Sequence, residues 1–288
     1  MPSLKHIRKR IGSVRNTQQI TKAMKMVAAA RLRKAQEAIV AMRPYSYRLR
    51  DIIGELAARA DFSDHPLLAQ RAPKNVELII LTSDRGLCGG FNANINRTTE
   101  RYVKANERGH ESIALDIVGR KGYEYFQRRD IPIKTYFKDV LGDVGLEKAS
   151  EIAEHAIARF VDGNLDATYV VYNEFKSAIR QEVIVEQLLP VVPAEARGAE
   201  DRAEFIYEPS KDDIMQAVLP RHLTVQIYRM LLESVASEMG ARMSAMDSAT
   251  KNAGELIERL TLQYNRARQA GITTELMEII GGAEALKG

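Results

Sequence analysis

Apolar positions near the start of the chain recur three and four residues apart, the spacing of one helical face. Leu4, Ile7, Ile11 and Val14 begin the stripe, and after a polar stretch Ile20, Met24 and Val27 resume it. Ala28, Ala29 and Ala30 are strong helix formers. Ser3 is placed to cap the start, and Pro44 predicts a kink. The pattern predicts one helix over 3–58, making residues 1–58 the first element of the chain. Residues 59–74 lose the periodicity and read as a linker.

The middle, 75–208, has a different grain. VELIILTS at 76–83 has the short continuous apolar run of a buried strand, and 112–119, 131–137, 167–175 and 181–190 read as further strands. Helical stretches fall near 94–108, 120–129 and 145–162. Strands alternating with helices predict an α/β domain on a largely parallel sheet. The last two strands are too close in sequence for a crossover, which predicts a hairpin. The charged stretch 194–204 reads as loop.

From about 210 to 286 the helical period returns, with a break or bend predicted at Pro220. Leu232, Ala236, Met239, Met243, Met246, Thr250, Ala253, Ile257, Leu260, Tyr264 and Ala267 follow alternating steps of four and three, a coiled-coil seam. If this stripe in 209–288 buries against that of 1–58, the two helices are antiparallel. At ~1.5 Å per residue they measure ~84 Å and ~115 Å. The longer one is therefore expected to protrude by ~30 Å. That tip carries Ile272, Leu276, Met277, Ile279, Ile280 and Leu286, and an apolar helix end of this kind needs a socket.

Charge sharpens the picture. Residues 1–50 hold 13 Lys or Arg against the single acid Glu37, a local +12 within an overall +4, so the remainder carries −8. So basic a block expects nucleic acid, an anionic membrane surface or acidic protein loops. The basic residues recur around the whole helix, and aromatics are absent from 1–44, which disfavours the nucleic-acid alternative. No apolar run approaches the ~20 residues that span a bilayer, and the basic N-terminus lacks an apolar signal core.

Candidate chemistry is sparse. SDRGLCGGFN follows a strand and precedes a helix, where α/β folds bind phosphate. Yet Gly86, Gly89 and Gly90 do not form G-x-G-x-x-G, and no Gly-Lys-Ser/Thr follows. The segment reads as a tight turn beside the long helices, with Arg85 reaching a neighbour. Cys88, the one cysteine, forms no internal disulfide. It reads as a small buried thiol rather than one activated by a helix start. His6, His65, His110, His155 and His222 show no ligand spacing. No catalytic set, metal site, cofactor or small-molecule substrate is expected.

Four segments carry a resemblance. IRKRIGSVRNTQQITKAMKMVAAARLRKAQ at 7–36, TSDRGLCGGFN at 82–92, YNEFKSA at 172–178 and the closing segment 237–286 closely resemble, in order, the gamma subunits of F-type ATP synthases. The resemblance implies an antiparallel coiled coil joined to a Rossmann-like domain, in agreement with the periodicity. It also implies a rotor shaft rather than an enzyme, standing inside a ring of alpha and beta subunits. The foot would rest on a membrane c-ring with the epsilon subunit, on the cytoplasmic face of a bacterial plasma membrane. Chloroplast relatives carry an inserted regulatory cysteine pair, which a chain with one cysteine lacks.

The resemblance also implies site residues. Arg268, Gln269 and Thr273 match a segment that catches loops of beta, the plain alternative being a solvated helix face. Met24, Lys25 and Arg242 match the region facing acidic lever loops of beta, though Met24 also suits the seam. Tyr207 and Glu208 match the foot on the membrane ring, the alternative being a turn ahead of Pro209.

Overall fold

The computed structural model describes residues 4–59, 65–192 and 211–285. Two helices dominate, α1 (Leu4–Arg59) and α5 (Lys211–Ala285). Between them lie β1 (Asn75–Leu81), α2 (Phe91–Asn106), β2 (Ser112–Val118), α3 (Arg120–Phe126), β3 (Ile133–Phe137), α4 (Leu146–Val161), β4 (Ala167–Phe175) and β5 (Gln181–Leu189). Each strand lies within two residues of its predicted span. The chain divides into two compact units, residues 29–242 and residues 4–28 with 243–285.

In the larger unit the sheet order is β3-β2-β1-β4-β5. β1 runs parallel to β2 and β4, β2 runs parallel to β3, and β5 closes the expected antiparallel hairpin with β4. β1, at the centre, is buried on both faces, which is why VELIIL reads as continuously apolar. Its side chains alternate between two cores. Val76, Leu78 and Ile80 pack with Phe91 and Ile95 of α2 and Phe126 of α3. Ile79 and Leu81 join the core built by Ile152, Ala156 and Phe160 of α4, Leu49 and Ile53 of α1, and Leu223, Ile227 and Met230 of α5. One sheet face thus carries α2 and α3, and the other carries α4 together with the long helices.

Neither proline ends its helix: α1 runs through Pro44 and α5 through Pro220, so the predicted break at Pro220 is absent. An interior proline costs about 3 kcal/mol. Met215, Leu219 and Leu223, all but fully buried, offset that loss around Pro220.

In the smaller unit α1 and α5 pair antiparallel. Gln18 and Thr21 of α1 reach Thr250 of α5, and Lys25 reaches Asp247. Continuing this register puts Leu4 opposite about residue 268. The heptad of α5 buries as expected at Met246, Ala253 and Leu260. The α1 seam departs from expectation: Ile20 and Val27 are 59% and 55% exposed. The covered phase follows the expected Ile7, Ile11 and Val14 and then runs through Gln18, Thr21, Lys25 and Ala28 in place of Ile20 and Val27, with Met24 half-buried alongside. An apolar count misses this phase because the seam is polar at its middle. It holds there by hydrogen bonds across the pair.

Candidate functional site

The smaller unit holds the basic helix and the end of α5. Thr21 Oγ1 and Thr250 Oγ1 are 2.8 Å apart and share a hydrogen bond. Lys25 Nζ lies 2.5 Å from Asp247 Oδ1, and Lys251 Nζ lies 3.0 Å from the other oxygen. Hydrogen bonds from Lys25 and Lys251 hold the Asp247 carboxyl below the ordinary carboxylate range. Lys25 therefore has a partner within the coil, with nearly half of its side chain still open.

Past Ala267 and Gly271 the helix α5 has no covered position as far as Ala283. Arg268, Gln269 and Thr273 are exposed, and Thr273 Oγ1 donates to the Gln269 carbonyl at 2.9 Å. Ile272, Leu276, Met277, Ile279 and Ile280 are each at least half exposed. So many large apolar side chains on one helix end mark an interaction surface. Tyr207 and Glu208 lie outside the described residues.

In the larger unit the glycine-rich segment 82–90 is a turn locked from inside. Thr82 Oγ1 donates to Val118 O at 2.8 Å and accepts the Gly122 N–H at 2.9 Å. Asn92 Oδ1 accepts the Ser83 N–H at 2.9 Å. Cys88 is buried, and burial pushes its thiol pKa up, as suits a packing residue. Leu87 and Gly89 both take positive φ, the left-handed backbone that closes the turn.

α5 closes the crevice where a doubly wound sheet binds nucleotides. Strand order reverses between β1 and β4, and ligands bind at the carboxyl ends of such strands. There Ser237 Oγ of α5 donates to Asn173 O of β4 at 3.0 Å, and Gly240 packs on the Ala178 backbone.

Arg242, expected to face a partner, turns inward. Its side chain is 11% exposed, it pairs with the buried Glu238, and its Nη1 donates to Gly86 O at 2.7 Å. Arg85 is exposed and lines an open groove of about 660 Å³ with Asp84, Arg120, Tyr123, Tyr136 and Lys138. Tyr123 and Tyr136 stack there, with centroids 4.4 Å apart.

Two polar clusters escaped the sequence reading. Arg229 of α5 reaches Glu186 of β5 at 2.6 Å, Tyr172 Oη of β4 at 3.1 Å and Glu233 one turn along at 3.1 Å. Beneath α4, Glu77 and Asp116 are fully buried on adjacent strands beside His155 and Arg159. The signal for the second cluster was a charge inside each of two apolar strand runs, VELIIL and SIALDIV.

A sequence-family model described as ATP synthase matches residues 3–286. The ATP synthase gamma chain of Anaeromyxobacter sp. (strain Fw109-5) is 53% identical over 290 residues, covering both chains in full. The chain belongs to the ATP synthase gamma-chain family. The gamma chain of Geotalea daltonii matches at the same identity and coverage. Among solved structures, the central stalk and c-ring structure of the Tetrahymena thermophila mitochondrial ATP synthase has a chain 26% identical to this one. That match has a TM-score of 0.62 and covers 80% of this chain and 99% of the other. A chain of the Euglena gracilis mitochondrial enzyme shares the fold at TM-score 0.67 and 21% identity, covering 98% and 94%. Within this gamma-family chain, no helix among the described residues is long and apolar enough to cross a membrane.

Proposed function

We propose that the chain is the central rotor shaft of an F-type ATP synthase. It carries torque from an ion-driven membrane ring to a catalytic ring of alpha and beta subunits, with epsilon beside it at the foot. It performs no bond chemistry itself. Its surface differs from side to side, so each beta subunit meets different contacts as the shaft turns. Those differential contacts shift each catalytic site among its states. The chain sits peripherally on the cytoplasmic face of a bacterial plasma membrane.

The observation that carries this reading is the end of α5. The antiparallel pair stops where α1 begins, and α5 continues alone with five large apolar side chains uncovered. Such an end is stable only inside a socket. Arg268, Gln269 and Thr273 lie on the same stretch and serve as the catch on the catalytic ring. A guanidinium pairs with a carboxylate through two parallel bonds. Exposed Ile20 and Val27 form an apolar stripe with half-buried Met24 beside Lys25, and the basic helix meets acidic loops of beta. Arg85 contacts a neighbouring subunit, and Tyr207 with Glu208 meets the membrane ring. Arg242 acts indirectly, by fixing α5 to the loop that presents Arg85.

Torque also requires that α5 not slip on the sheet. Three polar ties oppose slippage: Arg229 to Glu186, Ser237 to Asn173 O, and Arg242 to Gly86 O. They are spread over about three and a half turns of one helix and reach different parts of the sheet domain.

Reconstitution tests the reading. The purified chain is mixed with matched alpha and beta subunits, and steady ATP hydrolysis is measured. A stable complex with sharply raised turnover is expected. Folded protein that neither assembles nor stimulates hydrolysis would overturn the shaft assignment.

A further inference from the structure

A band of polar side chains crosses four strands beneath α4, and the shaft role makes no use of it. In register, Thr168 of β4 stands opposite Glu77 of β1, and Asp116 of β2 stands opposite Thr135 of β3. Glu77 pairs with Ala114 and Ile79 with Asp116, so Glu77 and Asp116 are diagonal neighbours on one face. From α4, His155 and Arg159 come down one turn apart. Arg159 Nη1 donates to Glu77 Oε2, His155 Nδ1 lies 3.2 Å from Asp116 Oδ2, and His155 Nε2 lies 3.1 Å from Thr135 Oγ1.

Two facts make this more than an internal ion pair. Glu77 and Asp116 are 0% and 1% exposed, and the Arg159 guanidinium pairs with Glu77 while Asp116 faces the His155 imidazole. Burying carboxylate charge without a matching cation is strongly unfavourable. In addition, Glu77 Oε1 and Asp116 Oδ1 are buried and make no hydrogen bond, and the buried His155 Nδ1 faces the carboxylate of Asp116. Glu77, Asp116 and His155 each offer a ligand atom, and these atoms lie within 4.8 Å of one another.

We propose that Glu77, Asp116 and His155 bind one divalent ion of the zinc type, which ties β1 and β2 to α4. One imidazole nitrogen with two carboxylate oxygens is a donor set that suits zinc. Ligands about 2.1 Å from a tetrahedral ion lie about 3.4 Å apart, so the donors need to draw in by at most about 1.4 Å. The outer layer is already built. Arg159 holds the second oxygen of Glu77. In the tautomer that donates from Nε2 to Thr135, the lone pair of His155 Nδ1 faces the carboxylates. Hydrogen bonds of these two kinds orient the ligands of metal sites. The His155 side chain is 33% exposed, which opens the site to solvent at the edge of α4. The ligands come from three elements far apart in the chain, so no ligand spacing reveals them.

The test uses the full chain, stripped with a chelator and titrated with Zn²⁺ alone at pH 7.5 by calorimetry. Co²⁺ serves as a visible-absorbing substitute. One ion per chain is expected, with a rise in melting temperature and a four-coordinate Co²⁺ band. H155A should weaken binding at least about 100-fold and remove the band. T135V, which keeps every ligand, should weaken it by about tenfold. D116N, of the same shape as the wild type, should remove binding while the chain stays folded. H155A retains His6, His65, His110 and His222, so Zn²⁺ binding that survives unchanged in H155A and D116N overturns the proposal. So does a wild-type chain that binds no ion. Neither result bears on the shaft role, which reconstitution tests separately.

Discussion

Lys25 Nζ and Asp247 Oδ1 stand 2.5 Å apart across the paired helices, at a seam position where a regular heptad carries an aliphatic side chain. The ion pair and the Thr21–Thr250 hydrogen bond one turn away replace apolar packing at the middle of the coil. Polar seam residues fix register at some loss of stability. Because Lys25 and Lys251 depress the Asp247 pKa, the carboxylate stabilises the fold above the ordinary carboxylate range. That stabilisation disappears as pH falls through the folded value. The melting temperature of wild type should exceed that of D247N at pH 7, and the gap should close in acid. A gap that persists unchanged at low pH rules out the ion pair as its source.

Glu238, nine residues earlier on the same helix, should respond in the opposite sense. Burial raises its pKa, against the lowering effect of Arg242. A raised carboxyl contributes stability that is full below its unfolded value and lost as pH rises through the folded one. E238Q should therefore compare best with wild type at neutral pH and worst in acid. Melting curves across that range decide it, and a flat difference excludes the burial effect.

The Thr21–Thr250 bond invites a double-mutant cycle. Thr250 Oγ1 retains the Met246 carbonyl and Thr21 Oγ1 the Gln18 carbonyl when the other is removed. Each change to Val should cost about 0.5–1.5 kcal/mol. The double variant should lose less than the sum, with a coupling of about 0.5 kcal/mol or more. Strict additivity in denaturant titrations means the two hydroxyls do not interact.

Arg229 is expected to hold α5 on the sheet. R229A leaves Glu233 and Glu186 without their cation, and losing one partner of a mostly buried pair costs about 3 kcal/mol. If this tie transmits torque, R229A complexes that still assemble should lose coupled turnover more than assembly. Equal turnover in assembled R229A and wild-type complexes would show the tie to be structural only.

Replacing both Arg268 and Gln269 by Ala should lower turnover of the reconstituted complex by about tenfold, the loss of one charge-assisted hydrogen bond of roughly 1.4 kcal/mol. Assembly should change less. Wild-type turnover in the double variant would remove Arg268 and Gln269 from the catch.

Gly119 offers a check on the sheet itself. It sits at φ 90°, and an added Cβ would lie 1.9 Å from the Thr82 carbonyl oxygen. G119A should lose at least about 3 kcal/mol from left-handed strain and overlap together. A G119A chain as stable as wild type would mean that β1 and the turn after β2 separate freely.

The local features were legible from the sequence alone. Alternating steps of three and four drew both long helices, and the apolar runs VELIIL and SIALDIV placed β1 and β2 almost to the residue. The uncovered end of α5 also followed from comparing two helix lengths. Periodicity is a property of neighbouring residues, so it survives without knowledge of the fold. What faces what is different. The seam runs through Gln18, Thr21 and Lys25 rather than Ile20 and Val27 because Thr250 and Asp247 wait on the other helix. Arg242 turns inward because Glu238 and the Gly86 carbonyl outcompete solvent for it. Glu77, Asp116 and His155 meet only because parallel pairing aligns two strands and a crossover lays α4 over them. Burial strengthens polar pairings and makes unpartnered charge costly, and burial exists only once distant segments have packed.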